Sequence, residues 1–151
     1  MKYPAVIVDI DGTLTNLDSR LHFITGPKKD WDSFYGEVKN DIPNTGVIEW
    51  VKAIRDSGIK ILIVTGRRLS IEKDTVEWLK LHGVDYDGLW MPRCDGDKRD
   101  DRLLKEMSLI RIKDRYEILF CIDDRPSVCD MWRQNGLRVF PVFQNRWENG
   151  E

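Results

Sequence analysis

Short, wholly apolar runs punctuate this chain at wide intervals, and polar stretches with a helical apolar period fill the gaps. Ala5–Val8 (AVIV), Ile61–Val64 (ILIV), Leu89–Met91 (LWM), Ile118–Ile122 (ILFCI) and Val139–Val142 (VFPV) read as strands. Unbroken runs like the first two suit strands covered on both faces, as in parallel sheets. Pro141 cannot donate to a ladder, so the last strand is expected at a sheet edge or at its own end there. Between the strands, Val47, Ile48, Val51 and Ile54 share a helix face, after the turn-like Pro43-Asn44-Thr45-Gly46 and before Gly58. Ile71, Thr75, Trp78, Leu79 and His82 form a second stripe, with Ser70 as the expected N-cap and Gly83 as the stop. A third helix is expected from about Asp100 to Ile112, and a fourth carries Val128, Met131 and Trp132 and stops at Gly136. This alternation predicts an α/β fold: a doubly wound, mostly parallel sheet with helices on both faces and right-handed crossovers.

One stretch breaks the rhythm. Residues 16–43 separate the first strand from the first covering helix and hold Gly26-Pro27, Lys28-Lys29 and the aromatic group Trp31, Phe34 and Tyr35. A βα connection usually takes 2–6 residues, so an insertion of this length predicts a small cap or lid over a site. The tail Gln144–Glu151 reads as polar and frayed apart from Trp147.

Composition narrows the picture. The 151 residues suit a single domain, and 41% apolar with 33% charged residues argues for a globule and against disorder. Lysine and arginine total 24 against 26 acids, a net charge of −2, which argues against coating long duplexes through a broad basic surface. Local cation clusters remain open. Neither a membrane span nor a cleavable signal pattern is evident, so the chain reads as cytoplasmic. Three cysteines, Cys94, Cys121 and Cys129, without a CxxC pair suggest neither a disulfide framework nor a zinc cage. None has Arg six positions on, which removes the thiol-phosphatase loop, and His22 and His82 read as surface or helix-end residues. Chemistry must therefore rest on carboxylates, lysines and arginines.

Ligands of open α/β sheets bind beyond the carboxyl ends of the strands. Asp9-Ile10-Asp11-Gly12-Thr13 follows the first strand, Thr65-Gly66-Arg67 the second and Asp123-Asp124-Arg125 the fourth. Carboxylates crowded in this way repel unless a cation sits among them, and hard oxygen ligands favour Mg²⁺.

These residues resemble the motifs of the haloacid dehalogenase (HAD) superfamily: Asp9-Ile10-Asp11-Gly12-Thr13 the first, Thr65-Gly66-Arg67 the second, Lys105 the third and Asp123-Asp124 the fourth. The resemblance implies a Rossmann-like fold over residues 1–151 and phosphoryl transfer through an aspartyl-phosphate. Asp9 would be the nucleophile and Asp11 the general acid and base. Thr65 and the following amide would hold phosphoryl oxygens, and Lys105 would supply a point charge. Mg²⁺ would be held by Asp9, Asp11 (through its carbonyl), Asp123 and Asp124. Asp11 also argues against a dehalogenase, which has no leaving alcohol to protonate.

Gly96-Asp97-Lys98-Arg99-Asp100-Asp101 leading to Lys105, Ile122-Asp123-Asp124-Arg125-Pro126-Ser127-Val128 leading to Met131-Trp132-Arg133, and Arg20 and Arg67 further resemble the phosphatase domain of bacteriophage polynucleotide kinase/3′-phosphatase. That implies substrate-site roles for Arg20, Arg67, Gly66 and Asp101, with Asp101 orienting Lys105 or Arg20, and 3′-phosphorylated DNA or RNA ends as substrates in nucleic acid repair. No GxxxxGK[ST] loop occurs, so 5′-kinase activity is not expected. Lys28, Lys29, Arg68, Arg99 and Arg102 are candidate backbone contacts and Trp31 and Tyr35 candidate stacking partners, whereas Trp50, Trp78 and Trp132 fall on apolar stripes and are expected in the core. A phosphatase of small metabolites and an idle binding module are the rival readings.

Overall fold

The computed structural model describes residues 1–142; the tail around Trp147 lies outside them. Five parallel strands form the sheet: β1 (Tyr3–Val8), β4 (Lys60–Val64), β5 (Gly88–Trp90), β6 (Tyr116–Asp123) and β7 (Val139–Pro141), in the order β5-β4-β1-β6-β7. Each expected strand is present, with bounds shifted by a residue or two, and β7 sits at an edge with Pro141 as its last residue. The helices α2 (Thr45–Asp56), α3 (Glu72–Leu81), α4 (Asp101–Arg115) and α5 (Pro126–Gln134) connect successive strands.

The period-2 geometry of β1 builds two cores. Val6 and Val8 pack with Ile48, Val51 and Ile54 of α2 and Trp78 and Leu79 of α3. Ala5 and Ile7 point the other way, toward Leu109 and Ile112 of α4 and Val128, Met131 and Trp132 of α5. Helices therefore cover both faces of the sheet, as the unbroken apolar runs predicted. No helix among the described residues is long and apolar enough to cross a membrane.

Two local expectations need correction. Ser70 lies inside a 3-10 turn, Leu69–Ile71, so Ile71 takes the N-cap position of α3 without a side-chain bond. Glu72 and Asp74 place negative charge in that first turn instead. Trp50 is 40% exposed. It flanks the buried stripe of α2 and stacks on Phe120 with Phe140 edge-on, beside the edge strand rather than under a helix.

The insertion folds. Thr15–Asn16 (β2) and Ile42–Pro43 (β3) pair antiparallel at its base and carry a short helix, α1 (Trp31–Gly36), between them. Asp30 caps α1 by accepting the Ser33 amide at 3.0 Å. A buried ion pair ties the two ends of the insertion together, and Trp78 of the body holds it from α3. The Arg20 guanidinium donates to both Asp41 oxygens at 2.6 and 2.7 Å and to the Phe34 carbonyl at 2.9 Å, and Trp78 Nε1 donates to the Asp41 carbonyl at 3.0 Å. A bidentate arginine–carboxylate pair of this kind has directionality as well as charge.

Two outcomes follow from the packing. Burial, reinforced by the charge of Asp123, pushes the Cys129 thiol up to about 12 and raises Cys121 further, while Cys94 is exposed. A thiol-labelling reagent at neutral pH should therefore modify Cys94 rapidly in the native protein and reach Cys121 and Cys129 only on unfolding, as counted by mass spectrometry. Removing the charge of Asp41 leaves Asp11, among the described residues, as the one carboxylate facing the two buried guanidinium groups of Arg20 and Arg67. Asp41→Asn should cost about 3 kcal/mol of stability, read as a lower urea midpoint; an unchanged midpoint would mean the ion pair carries no load.

Candidate active site

With β1 central, the chain winds outward through β4 and β5 and then crosses back to β6. This leaves a topological switch point between β1 and β6, where α/β sheets open a crevice. Asp9 leaves β1 at that crevice with its amide bonded to the Ile122 carbonyl at 3.0 Å, and Asp123 ends β6 beside it. Lys105 arrives from α4, whose start is fixed by Asp100 accepting the Arg102 amide. Its Nζ donates to Asp9 Oδ1 at 2.7 Å and to Asp123 Oδ2 at 2.8 Å. Thr13 Oγ1 donates to Asp9 Oδ2 at 3.0 Å, and Trp132 Nε1 donates to Asp123 Oδ2 at 3.2 Å. Both Asp9 oxygens are thereby oriented.

The electrostatics are lopsided. Burial and then the charge of Asp123 push the Asp9 carboxyl well above its ordinary range, with Lys105 pulling it back. Burial alone would lower Lys105, but Asp123 and Asp9 outweigh it and hold the ammonium charged. Asp9, Asp123 and Asp124 are all buried and offer ligand atoms within 4.8 Å of one another. Lys105 bridges two of these three carboxylates, Asp9 and Asp123. That all-oxygen, buried donor set fits a divalent hard cation. Gly12 makes the arrangement possible: its φ is +84°, and a Cβ there would run into the Asp124 carboxylate.

Asp11 is directed elsewhere. Its carboxylate, 20% exposed, takes Arg67 Nη2 and Arg20 Nη2, each at 2.8 Å, with Arg67 Nε at 3.0 Å from its other oxygen. Burial would raise this carboxyl, but the two guanidinium groups outweigh burial and hold it well below the usual carboxylate range. Arg67 is braced in turn by Thr75 Oγ1 at 3.0 Å. Arg20 and Arg67 are 1% and 0% exposed, so both stand behind the site and act on it through Asp11. Thr65 is likewise fully buried, its Oγ1 accepting the Arg67 amide at 3.2 Å, and Gly66 is the member of that turn that reaches the cavity.

Asp101 corrects an expectation. It orients neither Lys105 nor Arg20 by a hydrogen bond. It pairs with Arg93 Nη2 and, at 2.9 Å, with Arg125 Nη1, although its charge helps to keep Lys105 protonated. It also packs against the Gly66 backbone, where a Cβ would meet its Oδ1 at 2.5 Å. Two buried residues escaped sequence reasoning. Arg93 donates to the Gly66 carbonyl at 2.7 Å and the Asp97 carbonyl at 2.7 Å, stapling the 93–101 loop to the second motif. It follows β5, so extending the inspection of strand ends to the third strand would have found it. Asp41 had no comparable signal, because its partner lies across the lid.

All of this opens on one cavity of about 530 Å³, lined among others by Asp9, Asp11, Lys105, Asp123 and Asp124, by Gly66, Asp101 and Arg125, and by Lys29, Trp31, Tyr35, Arg68 and Arg99. That volume falls in the range of small-ligand pockets. Lys28 and Arg102 are exposed and fall outside that lining, and Arg102 pairs with Asp100 at 3.4 Å.

Comparison with known proteins agrees with this geometry. The family model for the polynucleotide kinase PNKP phosphatase domain matches residues 3–147. A protein of Autographa californica nuclear polyhedrosis virus, described as "Putative bifunctional polynucleotide kinase/RNA ligase", is 28% identical over 145 residues, covering 94% of this chain and 19% of its own length. A solved structure of a Pnkp1/Rnl/Hen1 complex superposes with a TM-score of 0.80 at 34% identity, over 94% of this chain and 46% of the matched one. The chain thus spans about a fifth of that curated relative and under half of that solved chain. The class C acid phosphatase from Bacillus anthracis, at 16% identity, TM-score 0.71 and coverage of 97% and 68%, shares the fold. With a family model running nearly end to end through these motifs, the chain belongs to the PNKP phosphatase-domain family of the HAD superfamily.

Proposed function

We propose that this chain removes 3′-phosphate from the ends of DNA or RNA, with Mg²⁺, through an aspartyl-phosphate on Asp9. The observation that carries the reading is the pinned Asp9–Lys105–Asp123 cluster at the base of a cavity whose other wall is a cationic, aromatic lid, in a chain of this family.

In the first step a carboxylate oxygen of Asp9 attacks phosphorus. The bond to the 3′-oxygen breaks, and Asp11 in its protonated form gives its proton to the departing oxygen. Asp11 rests ionised between Arg67 and Arg20, and the negative charge of an incoming phosphate beside it raises its pKa toward the form that can donate. In the second step Asp11, now a carboxylate, takes a proton from water as the water attacks phosphorus. Phosphate leaves, and Asp9 is regenerated. Lys105 neutralises charge on Asp9 and the phosphoryl group throughout, and the Gly66 amide serves the phosphoryl oxygens. Arg20 and Arg67 position Asp11 from behind, and Asp101 supports the Gly66 turn from the cavity wall. Asp9, Asp123 and Asp124, with the Asp11 carbonyl, would hold Mg²⁺, which when bound supplies charge stabilisation at the phosphoryl oxygens.

Phosphate release from 3′-phosphorylated oligonucleotide, 5′-phosphorylated oligonucleotide and a panel of small phosphomonoesters tests the substrate. The 3′-phosphorylated end should be preferred, and chelation should abolish release until Mg²⁺ is restored; preference for the small esters would replace this reading with a metabolite phosphatase. Asp9→Asn should retain the fold by circular dichroism and lose all measurable turnover. Residual hydrolysis would refute the covalent scheme.

A further inference from the structure

The lid presents an ordered column of rings and cations to the cavity. Lys29 Nζ lies 5.9 Å from the ring centroid of Trp31. Trp31 and Tyr35 stack at 6.1 Å with 26° between their planes, and the Arg68 guanidinium sits 4.9 Å over Tyr35. Phe34 anchors the column from beneath. It is buried, meets Trp31 and Tyr35 edge-on at 5.6 and 5.3 Å, and carries the Arg20 guanidinium 4.2 Å from its own ring. Arg68 is held to the lid helix by Asp32 at 2.7 Å.

Packing alone does not account for this order. Phe34 supplies the apolar anchor of α1, yet Trp31 and Tyr35 remain half-buried and line the same cavity as Asp9, together with Lys29 and Arg68. Burial and the charges of Asp11 and Asp101 push the Tyr35 hydroxyl up to about 12, so the ring in the column is neutral. Trp31 is thus faced by an exposed lysine. An exposed cation–π contact is weaker than stacking of a nucleobase on the same ring, so a base can displace the Lys29 ammonium from the indole. The displaced ammonium then stands where a phosphodiester adjoining that base can meet it.

We propose that Trp31, backed by Tyr35 and flanked by Lys29 and Arg68, is a stacking platform for an unpaired nucleobase at the phosphorylated end, and that the lid so determines substrate choice. This rests on the polynucleotide-end reading above. Stacking engages the π-face that every base has, so the platform distinguishes ends with a base from ends without one and is indifferent to sequence.

The test compares kcat/KM on a 3′-phosphorylated single-stranded oligonucleotide with the same oligonucleotide whose terminal nucleotide lacks its base. The native protein should prefer the base-bearing end about tenfold, with the difference in KM rather than kcat. Trp31→Ala should bring the ratio to about one, and Trp31→Phe should recover most of it. Because the ratio is taken within each variant, a general loss of activity does not imitate the result. A native ratio near one, or a ratio that survives Trp31→Ala, overturns the platform while leaving polynucleotide-end hydrolysis standing. Failure on both oligonucleotides with turnover of small phosphomonoesters overturns both together.

Discussion

Three buried carboxylates gathered within 4.8 Å of one another, two of them sharing one ammonium, are the constraint from which the rest of this structure follows. Like charges at such separations in a weakly polar interior repel strongly, and the chain answers that repulsion with specific donors. Lys105 bridges Asp9 and Asp123, Thr13 takes the second oxygen of Asp9, and Trp132 donates to Asp123 from α5. The parallel strand order brings these groups together, since only neighbouring strand ends at the switch point deliver Asp9 and Asp123 to one lysine. A buried, all-oxygen donor set of this kind is what a divalent hard cation would require of the chain.

A second charge layer lies behind the first and is closed. Asp11 and Asp41 share Arg20 and Arg67, and neither guanidinium is exposed. Breaking such a buried network from one side is costly because it strands a desolvated charge. Asp11 is therefore fixed in place by the same two arginines that hold Asp41 at the base of the insertion. Any motion of the lid base that carries Arg20 with it would also disturb Asp11. The upper lid is held instead by the Asp32–Arg68 pair, whose carboxylate is exposed, and by ring contacts, which cost less to break than a buried network.

The sheet, its two cores and the strand-end chemistry were legible in the sequence because each leaves a local trace: an apolar run, a stripe of period 3.6, a carboxylate just past a strand. Asp9, Asp123 and Lys105 meet as their motifs implied. What was not legible depends on long-range partners. Asp41 pairs with a residue 21 positions away, and nothing around it in the chain marks it as buried. Trp50 lies beside the apolar stripe of α2, yet the edge strand next to it leaves it uncovered. Asp101 and Lys105 share a helix face by spacing, but Arg93 and Arg125 compete for the aspartate from outside that helix. Spacing identifies which side chains can meet; competition among all available charges decides which do.

The division of labour follows from that difference. The carboxylate–lysine cluster addresses features common to every phosphomonoester: a charged phosphoryl group, a leaving oxygen, a water. It cannot distinguish a polynucleotide end from a small ester, because neither difference lies within reach of Asp9, Asp11 or Lys105. Selectivity has to come from surfaces that contact the rest of the substrate, and the cavity extends from the cluster to the lid, where two half-buried rings stand between two cations. A net charge of −2 over the whole chain is compatible with such a grip, since a single-stranded end needs a few cations beside a stacking surface rather than a basic face. The lid is thus the part of the molecule in which a change of substrate could evolve while the reaction stayed the same.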